Sequence, residues 1–410
     1  MSELEREGVM MKNTIGRSTT KFLTCVVLLF ILTPTVSGVV FLDTTITDLS
    51  YIPAQNEPIW EILDHDYLVD DVIPWDIAFV NQTHGWVLSQ NQTSFVHGII
   101  LNTENGGESW QLQYSNASQR FAEIAIIDTD TLWVTGSDGL FYTENCGQTW
   151  NMIVVEGSST AFYGIYFLNE THGWTGDGDS FYKTNDGGLT WQSIPSWISD
   201  DRARKIHFIT HLEGWVIGFY GIYHTEDGGE TWEEQFEYGG WAMSFVSDTE
   251  AWAVADTWLA HMIDGETWVE QGIPRSSPFS VVTPYFSDIL FLDSVHGWLV
   301  GSEPEVIYTP NGGRDWYTQD FPHDNRVMAV DFINITHGWA VGHGGYIYRT
   351  TQGNSLGTRL WIGMTDPIFL SIVGVFAAVV VIVSGIFIHR RRRKTGYRLP
   401  DLVSESPHIE

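Results

Sequence analysis

A turn of eight residues returns along this chain at a spacing that dictates its architecture. It reads Thr103-Glu-Asn-Gly-Gly-Glu-Ser-Trp110, Thr143-Glu-Asn-Cys-Gly-Gln-Thr-Trp150, Thr184-Asn-Asp-Gly-Gly-Leu-Thr-Trp191, Thr225-Glu-Asp-Gly-Gly-Glu-Thr-Trp232 and Thr309-Pro-Asn-Gly-Gly-Arg-Asp-Trp316, with a shorter copy ending at Trp268. These are the residues of a tight β-hairpin. Asp or Asn accepts nearby backbone N–H groups, Gly supplies positive φ, and Trp buries its ring against the next strand. On this reading Asn105, Asn145, Asp186, Asp227, Asp264 and Asn311 are structural turn fasteners.

A second signature precedes each box: Thr83-His-Gly-Trp86, Thr171-His-Gly-Trp174, Glu213-Gly-Trp215, Val295-His-Gly-Trp298 and Thr336-His-Gly-Trp339, with weaker copies at Leu132-Trp133 and Ala251-Trp252. Successive Trp of this series are 47, 41, 41, 37, 46 and 41 residues apart. That is the period of a four-stranded propeller blade, so seven blades are predicted. Each repeat opens on an apolar run (Trp75 to Val80, Phe121 to Ile127, Phe162 to Phe167, Ile206 to Ile209, Met243 to Val246, Ile289 to Leu292, Val327 to Ile333), expected to form the inner strand buried between neighbouring blades. The seventh box decays to Thr351-Gln-Gly-Asn-Ser-Leu-Gly357, while Pro58-Ile-Trp-Glu-Ile-Leu63 resembles a fourth strand without a blade. Ring closure reconciles the two, with Trp60 and Ile62 pairing around Tyr346 to Arg349.

The box resembles the Asp-box of the bacterial neuraminidase repeat. Both signatures together are most similar to the photosystem II assembly and stability factor family of seven-bladed propellers, over roughly residues 58–357. That resemblance implies an all-β propeller with an assembly-factor style of function and, from the photosynthetic members, a basic patch on the propeller. Residues 39–388 hold ten Lys+Arg against 45 Asp+Glu, with no basic run in the sequence to form such a patch. So acidic a surface repels nucleic acid and anionic lipid, and suits cations or a basic partner.

The ends carry a different message. Residues 1–38 read as a signal peptide: Lys12, Arg17 and Lys21 precede an apolar core from Phe22 to Leu32, and Val36-Ser37-Gly38 offers a cleavage site. An N-terminal extension, 39–57, leads into the propeller at 58–357 and a juxtamembrane linker at 358–367. The 21 residues 368–388 are apolar and uncharged, long enough to cross a bilayer as a helix, and His389-Arg-Arg-Arg-Arg-Lys394 opens a basic tail, 389–410. The expected topology is single-pass type I in the cell membrane, with the propeller outside and the tail cytoplasmic. Five sequons, at Asn81, Asn91, Asn116, Asn169 and Asn334, accord with it.

Candidate chemistry is sparse, and neither a cofactor nor a metal site is expected. His84, His172, His296 and His337 recur once per blade, which holds them apart around a ring. Asp177-Gly-Asp179 lacks the further oxygens of a calcium loop. Cys146 stands where its box should have Gly and reads as a lone structural thiol. A sialidase needs an Arg cluster with a Tyr nucleophile, and no Arg-Ile-Pro motif opens the propeller. The expected function is therefore a binding or assembly module for a protein or glycan, with an extracellular glycoside hydrolase using paired carboxylates at the channel mouth as the alternative. Function tends to sit where a regular scaffold becomes irregular. The binding face is accordingly expected on the inter-blade connectors, at Trp197, Trp241, Trp258 and Phe279, aromatics outside the repeating positions.

Overall fold

The computed structural model describes residues 59–63, 72–91, 97–158, 161–194, 201–274, 284–302 and 306–357. The signal peptide, the membrane span, the basic tail, Trp197 and Phe279 lie outside the described residues. Among those described there is no helix, and the strands form seven four-stranded antiparallel sheets. Six sheets take their strands in sequence order, and the seventh borrows one from the start of the chain. The inner strands are Val72–Phe79, Phe121–Ile126, Ile165–Phe167, Lys205–Phe208, Ala242–Phe245, Phe286–Phe291 and Val327–Phe332; each packs on the next and the last on the first, which closes the ring.

Closure is made by Glu61–Leu63 running antiparallel to Tyr346–Thr350, with Glu61 opposite Arg349, Ile62 opposite Tyr348 and Leu63 opposite Ile347. Trp60 lies just before this ladder and is fully buried, edge-on to Phe321 and Phe332. Its Nε1 donates to Gln319 Oε1 at 2.9 Å. The borrowed strand thus removes an open sheet edge and fills the gap between blades six and seven.

Blade-to-blade packing explains the His-Gly-Trp signature. The Trp of one blade stacks on the inner-strand Phe of the next: Trp174 on Phe208 at 3.7 Å, Trp298 on Phe332 at 3.8 Å and Trp339 on Phe79 at 3.6 Å between centroids. That Phe lies flat against the turn Gly of its own blade. At Gly338 a Cβ would come within 2.4 Å of the Phe332 ring, so no other residue fits unless the stack moves. The box Trp closes the far side edge-on, as Trp232 does to Phe208 and Trp316 to Phe291.

The boxes are fasteners between turns and between blades. In blade four, Asp227 Oδ1 accepts Thr231 N at 2.8 Å and Thr225 Oγ1 at 2.9 Å, and Thr225 Oγ1 accepts Gly229 N at 2.9 Å. Asn105, Asn145, Asp186 and Asn311 repeat this pattern, while Asp264 in the short box accepts Glu266 N and Thr267 N. The next residue, Gly228, has φ +78° and donates its N–H to Leu212 O, tying the box to the turn between the first two strands. Equivalent bonds join the two turns in all seven blades, so both kinds of turn share one face. The Trp of the preceding blade reaches this station too: Trp174 Nε1 donates to Gly228 O, Trp298 to Gly353 O and Trp339 to Gly106 O. Cys146 occupies the station in blade two at φ +56°, and Trp86 reaches it through Gln113, which donates to Cys146 O at 2.7 Å.

Candidate functional site

The connectors and the loops between second and third strands lie on the face opposite the boxes, and four arginines stand on that face. Arg120, Arg204 and Arg326 stand immediately before or at the start of the inner strands of blades two, four and seven, and Arg202 stands two residues before Arg204. None of the four forms an ion pair with a described residue, whereas Lys183, Lys205 and Arg349 are paired with Glu230, Glu123 and Glu61. These four cations share the connector face with Asp138, Asp201, Asp256 and Asp324, so the face carries both signs on a propeller that is strongly acidic.

Arg204 is the best built of them. Its guanidinium carbon lies 4.2 Å from the Phe219 ring centroid and 3.7 Å from that of Trp241, and Nη1 donates to Gly240 O at 3.0 Å. Burial, then repulsion from Arg202, lowers its pKa to about 10, so it stays cationic at neutral pH. Arg202 sits over the Tyr163 ring at 5.0 Å. These are cation–π arrangements, which hold a guanidinium in place; Asp201 and Asp256 also act on Arg204 at longer range and partly offset its burial. Asp201 organises the neighbouring loop, its carboxylate accepting the Phe219 and Tyr220 N–H groups.

Trp241 and Trp258 are half-buried. Trp241 Nε1 donates to Asp256 Oδ1 at 2.8 Å, and Trp258 Nε1 to Gly239 O at 3.2 Å with its ring edge-on to Phe236. Both indoles are thus hydrogen-bonded within the connector face, and each side chain remains partly exposed. Among the aromatics this face presents to solvent are Phe219, Tyr220 and Tyr238, at 48%, 59% and 50% exposure, with Tyr285 on the connector into blade six. Sequence reasoning passed over all three, because Gly218-Phe-Tyr-Gly221 looks like an ordinary short turn; the adjacent aromatics between two glycines were the available signal.

Inside the ring lies a second group of charges. Lys205 Nζ is 2.8 Å from Glu123 Oε1 and is also drawn by Asp76 and Asp288, from four different blades. Every one of these acids, and Asp331 with them, also accepts a backbone N–H of the following blade. Asp76 takes Ile124 N, Glu123 takes Ile165 N, Asp288 takes Val330 N and Asp331 takes Phe79 N. They are inter-blade clasps. Burial pushes Glu123 and Asp331 up to about 7 and Asp288 to about 6, because one lysine cannot offset four carboxylates. For Lys205 burial alone would lower the pKa, but Glu123, Asp76 and Asp288 outweigh it and hold it above the lysine range.

The remaining candidates are absorbed by turns. Asp177 accepts Asp179 N, Ser180 N and the Tyr182 hydroxyl. His84, His172 and His337 each pair through Nδ1 with the preceding Thr hydroxyl, and His296 with Asp293. Asn81, Asn169 and Asn334 use Oδ1 to accept the N–H groups two and three residues on, as Asp128 and Asp293 do in other blades. The sequon Thr at these sites is part of the same turn network. Asn116 likewise accepts Ser118 N, and Asn91 ends the strand Gly85–Asn91.

Comparison with known proteins accords with this fold. A family model described as photosynthesis system II assembly factor YCF48 matches residues 52–159, 155–237 and 260–367. A relative, the photosystem II assembly lipoprotein Ycf48 of Synechococcus sp. (strain CC9902), is 33% identical over 84 residues, a match covering 20% of this chain and 25% of that protein. The chain thus spans about a quarter of the length of that curated relative. Among solved structures, one described as YCF48 bound to D1 peptide has 19% identity and a TM-score of 0.57, covering 73% of this chain and 99% of that one. YCF48 from Cyanidioschyzon merolae has 17% identity and a TM-score of 0.56, covering 72% and 100%.

Proposed function

The chain belongs to the family of photosynthesis system II assembly factor YCF48, and from that membership we propose that it is an assembly module, a propeller that holds a protein partner on its connector face. The observation that carries this reading is the pair Arg202 and Arg204, neither in an ion pair with a described acid, with Arg204 against the exposed Phe219 next to Tyr220. Guanidinium groups held over rings and flanked by exposed aromatics suit a segment bearing carboxylates and apolar side chains. The solved YCF48 complex with D1 peptide is support by kinship for a protein rather than a glycan partner. The propeller, on this reading, stands outside the cell membrane on the single span of residues 368–388, with the basic tail in the cytoplasm. The glycoside-hydrolase alternative is weakened by the inner carboxylates, each of which already clasps the next blade.

The test is capture from detergent-solubilised native membranes by the full chain. Phe219→Ser with Tyr220→Ser, and separately Arg202→Glu, should reduce recovery of the captured membrane-complex subunit at least tenfold with an unchanged melting temperature. Undiminished capture by both variants would contradict the reading, and turnover of a glycan by the full chain would favour the alternative.

A further inference from the structure

The face that carries the boxes has a composition its turns do not require. Exposed aliphatic side chains sit at its tips: Leu189 (62%), Leu212 (46%), Ile263 (67%), Val295 (40%), Ile335 (36%) and Leu356 (39%). The same turn stations elsewhere are polar. Ile263 stands where other boxes have Glu104, Glu144 and Glu226, Ile335 where other blades have Gln82 and Glu170, and Val295 where they have Thr83 and Thr171. Leu212 and Val295 enter the fastening through their backbones, but none of the six side chains takes part in it, so the turn chemistry does not require an aliphatic residue at these positions. Four of them belong to blades five to seven, whose tips also carry Asp248, Glu266, Asp293 and Asp315, whereas the corresponding tips of blades one and two carry Glu104, Glu108, Asp128, Asp130 and Glu144 with no exposed aliphatic residue beside them among those described.

The chain leaves the propeller at this same place. After Tyr346–Thr350 it passes through Gly353, which donates its N–H to Thr336 O in the adjoining turn, and Ser355 O accepts Gln319 Nε2 at 3.2 Å. Leu356 follows at once. Ten residues, 358–367, separate this exit from the apolar run 368–388, and ten residues reach about 35 Å at most. If that run spans a bilayer, the box face of blade seven cannot stand far from the lipid.

The geometry points to the box face of blades five to seven as a lipid-docking surface, with Ile263, Val295, Ile335 and Leu356 seated in the headgroup region of an electrically neutral bilayer and the connector face turned away from it. This rests on the proposed membrane span. Neutral lipid is specified because the acidic propeller is repelled by anionic headgroups. Shallow burial of aliphatic tips is the usual means by which a surface sits at a membrane boundary. Such an arrangement leaves Arg204, Phe219 and Tyr220 free for a partner.

The test uses the full chain reconstituted in phosphatidylcholine vesicles, with Cys25→Ser and Cys146→Gly as background and single cysteines at Ile335, Ile263, Glu108 or Tyr220 carrying a polarity-sensitive fluorophore. Flotation with the vesicles reports the span. Headgroup-level nitroxide lipids should quench the probe at Ile335→Cys and Ile263→Cys at least threefold more than at Glu108→Cys or Tyr220→Cys, and less so when a third of the lipid is phosphatidylglycerol. Flotation with equal quenching at all four sites would overturn the docking surface and leave the span standing. Failure to float would overturn both. Probes shielded from aqueous iodide but not quenched by lipid would mean that protein covers these tips, which also overturns the proposal.

Discussion

Replacing Trp60 by Ala should lower the unfolding free energy by about 3–5 kcal/mol, the cost of emptying a fully buried aromatic site. The indole is edge-on to Phe321 and Phe332 and donates to Gln319 Oε1, which would lose its partner as well. Two residues on, Ile62 lies in the closing ladder with its side chain 41% exposed, and Ile62→Ser should cost less than about 1 kcal/mol. Denaturant unfolding of the two variants separates a packed closure from a strand that merely lies on the last blade. Similar losses for both, or none for Trp60→Ala, would refute the closure as a source of stability.

Lys205→Met should cost about 3 kcal/mol at pH 8 and much less at pH 5. Removing the one cation leaves Glu123, Asp76 and Asp288 facing one another inside the ring, the situation in which a broken buried pair is most damaging. The wild type has its own pH dependence with a definite sign. Glu123, Asp288 and Asp331 are raised above their ordinary values, so at intermediate pH the folded state holds protons that the unfolded chain releases. Stability must then fall as pH rises from about 4 through about 7. Asp186, Asp227 and Asp293 are lowered, because hydrogen bonds from their turns outweigh burial, and their contribution is lost only as pH falls below the ordinary 3.8. From these groups, maximum stability should lie near pH 4. A Lys205→Met penalty of equal size at pH 5 and pH 8 would show that the carboxylates do not titrate as a group with it.

Which parts of this were legible in the sequence follows from what each part depends on. The blades were legible because every repeat solves the same local problem. Gly338 must lack a Cβ to let Phe332 lie flat under Trp298, and Asp227 must accept two donors to hold its turn, so each repeat reprints the solution. Closure was legible as a mismatch, a strand without a blade and a blade without a strand. The inner carboxylates were missed because each looks like a single polar residue in an apolar run, as in Ser287-Asp-Ile-Leu-Phe291 or Ala329-Val-Asp-Phe332. Their meaning appears only when four blades are brought round one axis with Lys205 between them. The connector-face arginines were missed for a related reason: Arg120, Arg204 and Arg326 are more than 80 residues apart, and only the topology puts them on one face of the ring. On the connector face the sequence singled out Trp241 and Trp258, whose indoles are committed to Asp256 and Gly239, while the solvent-facing Phe219 and Tyr220 drew no notice.

The proposal that the connector face holds a protein partner is tested most directly by site-specific photo-crosslinking of the full chain in its native cells. A photoreactive amino acid at Tyr220 should crosslink to a defined partner protein, and one at Glu226, on the box face of the same blade, should not. The Tyr220 adduct should disappear when Arg202→Glu is added. Crosslinks of equal yield from both positions, or an adduct at Glu226 alone, would contradict it.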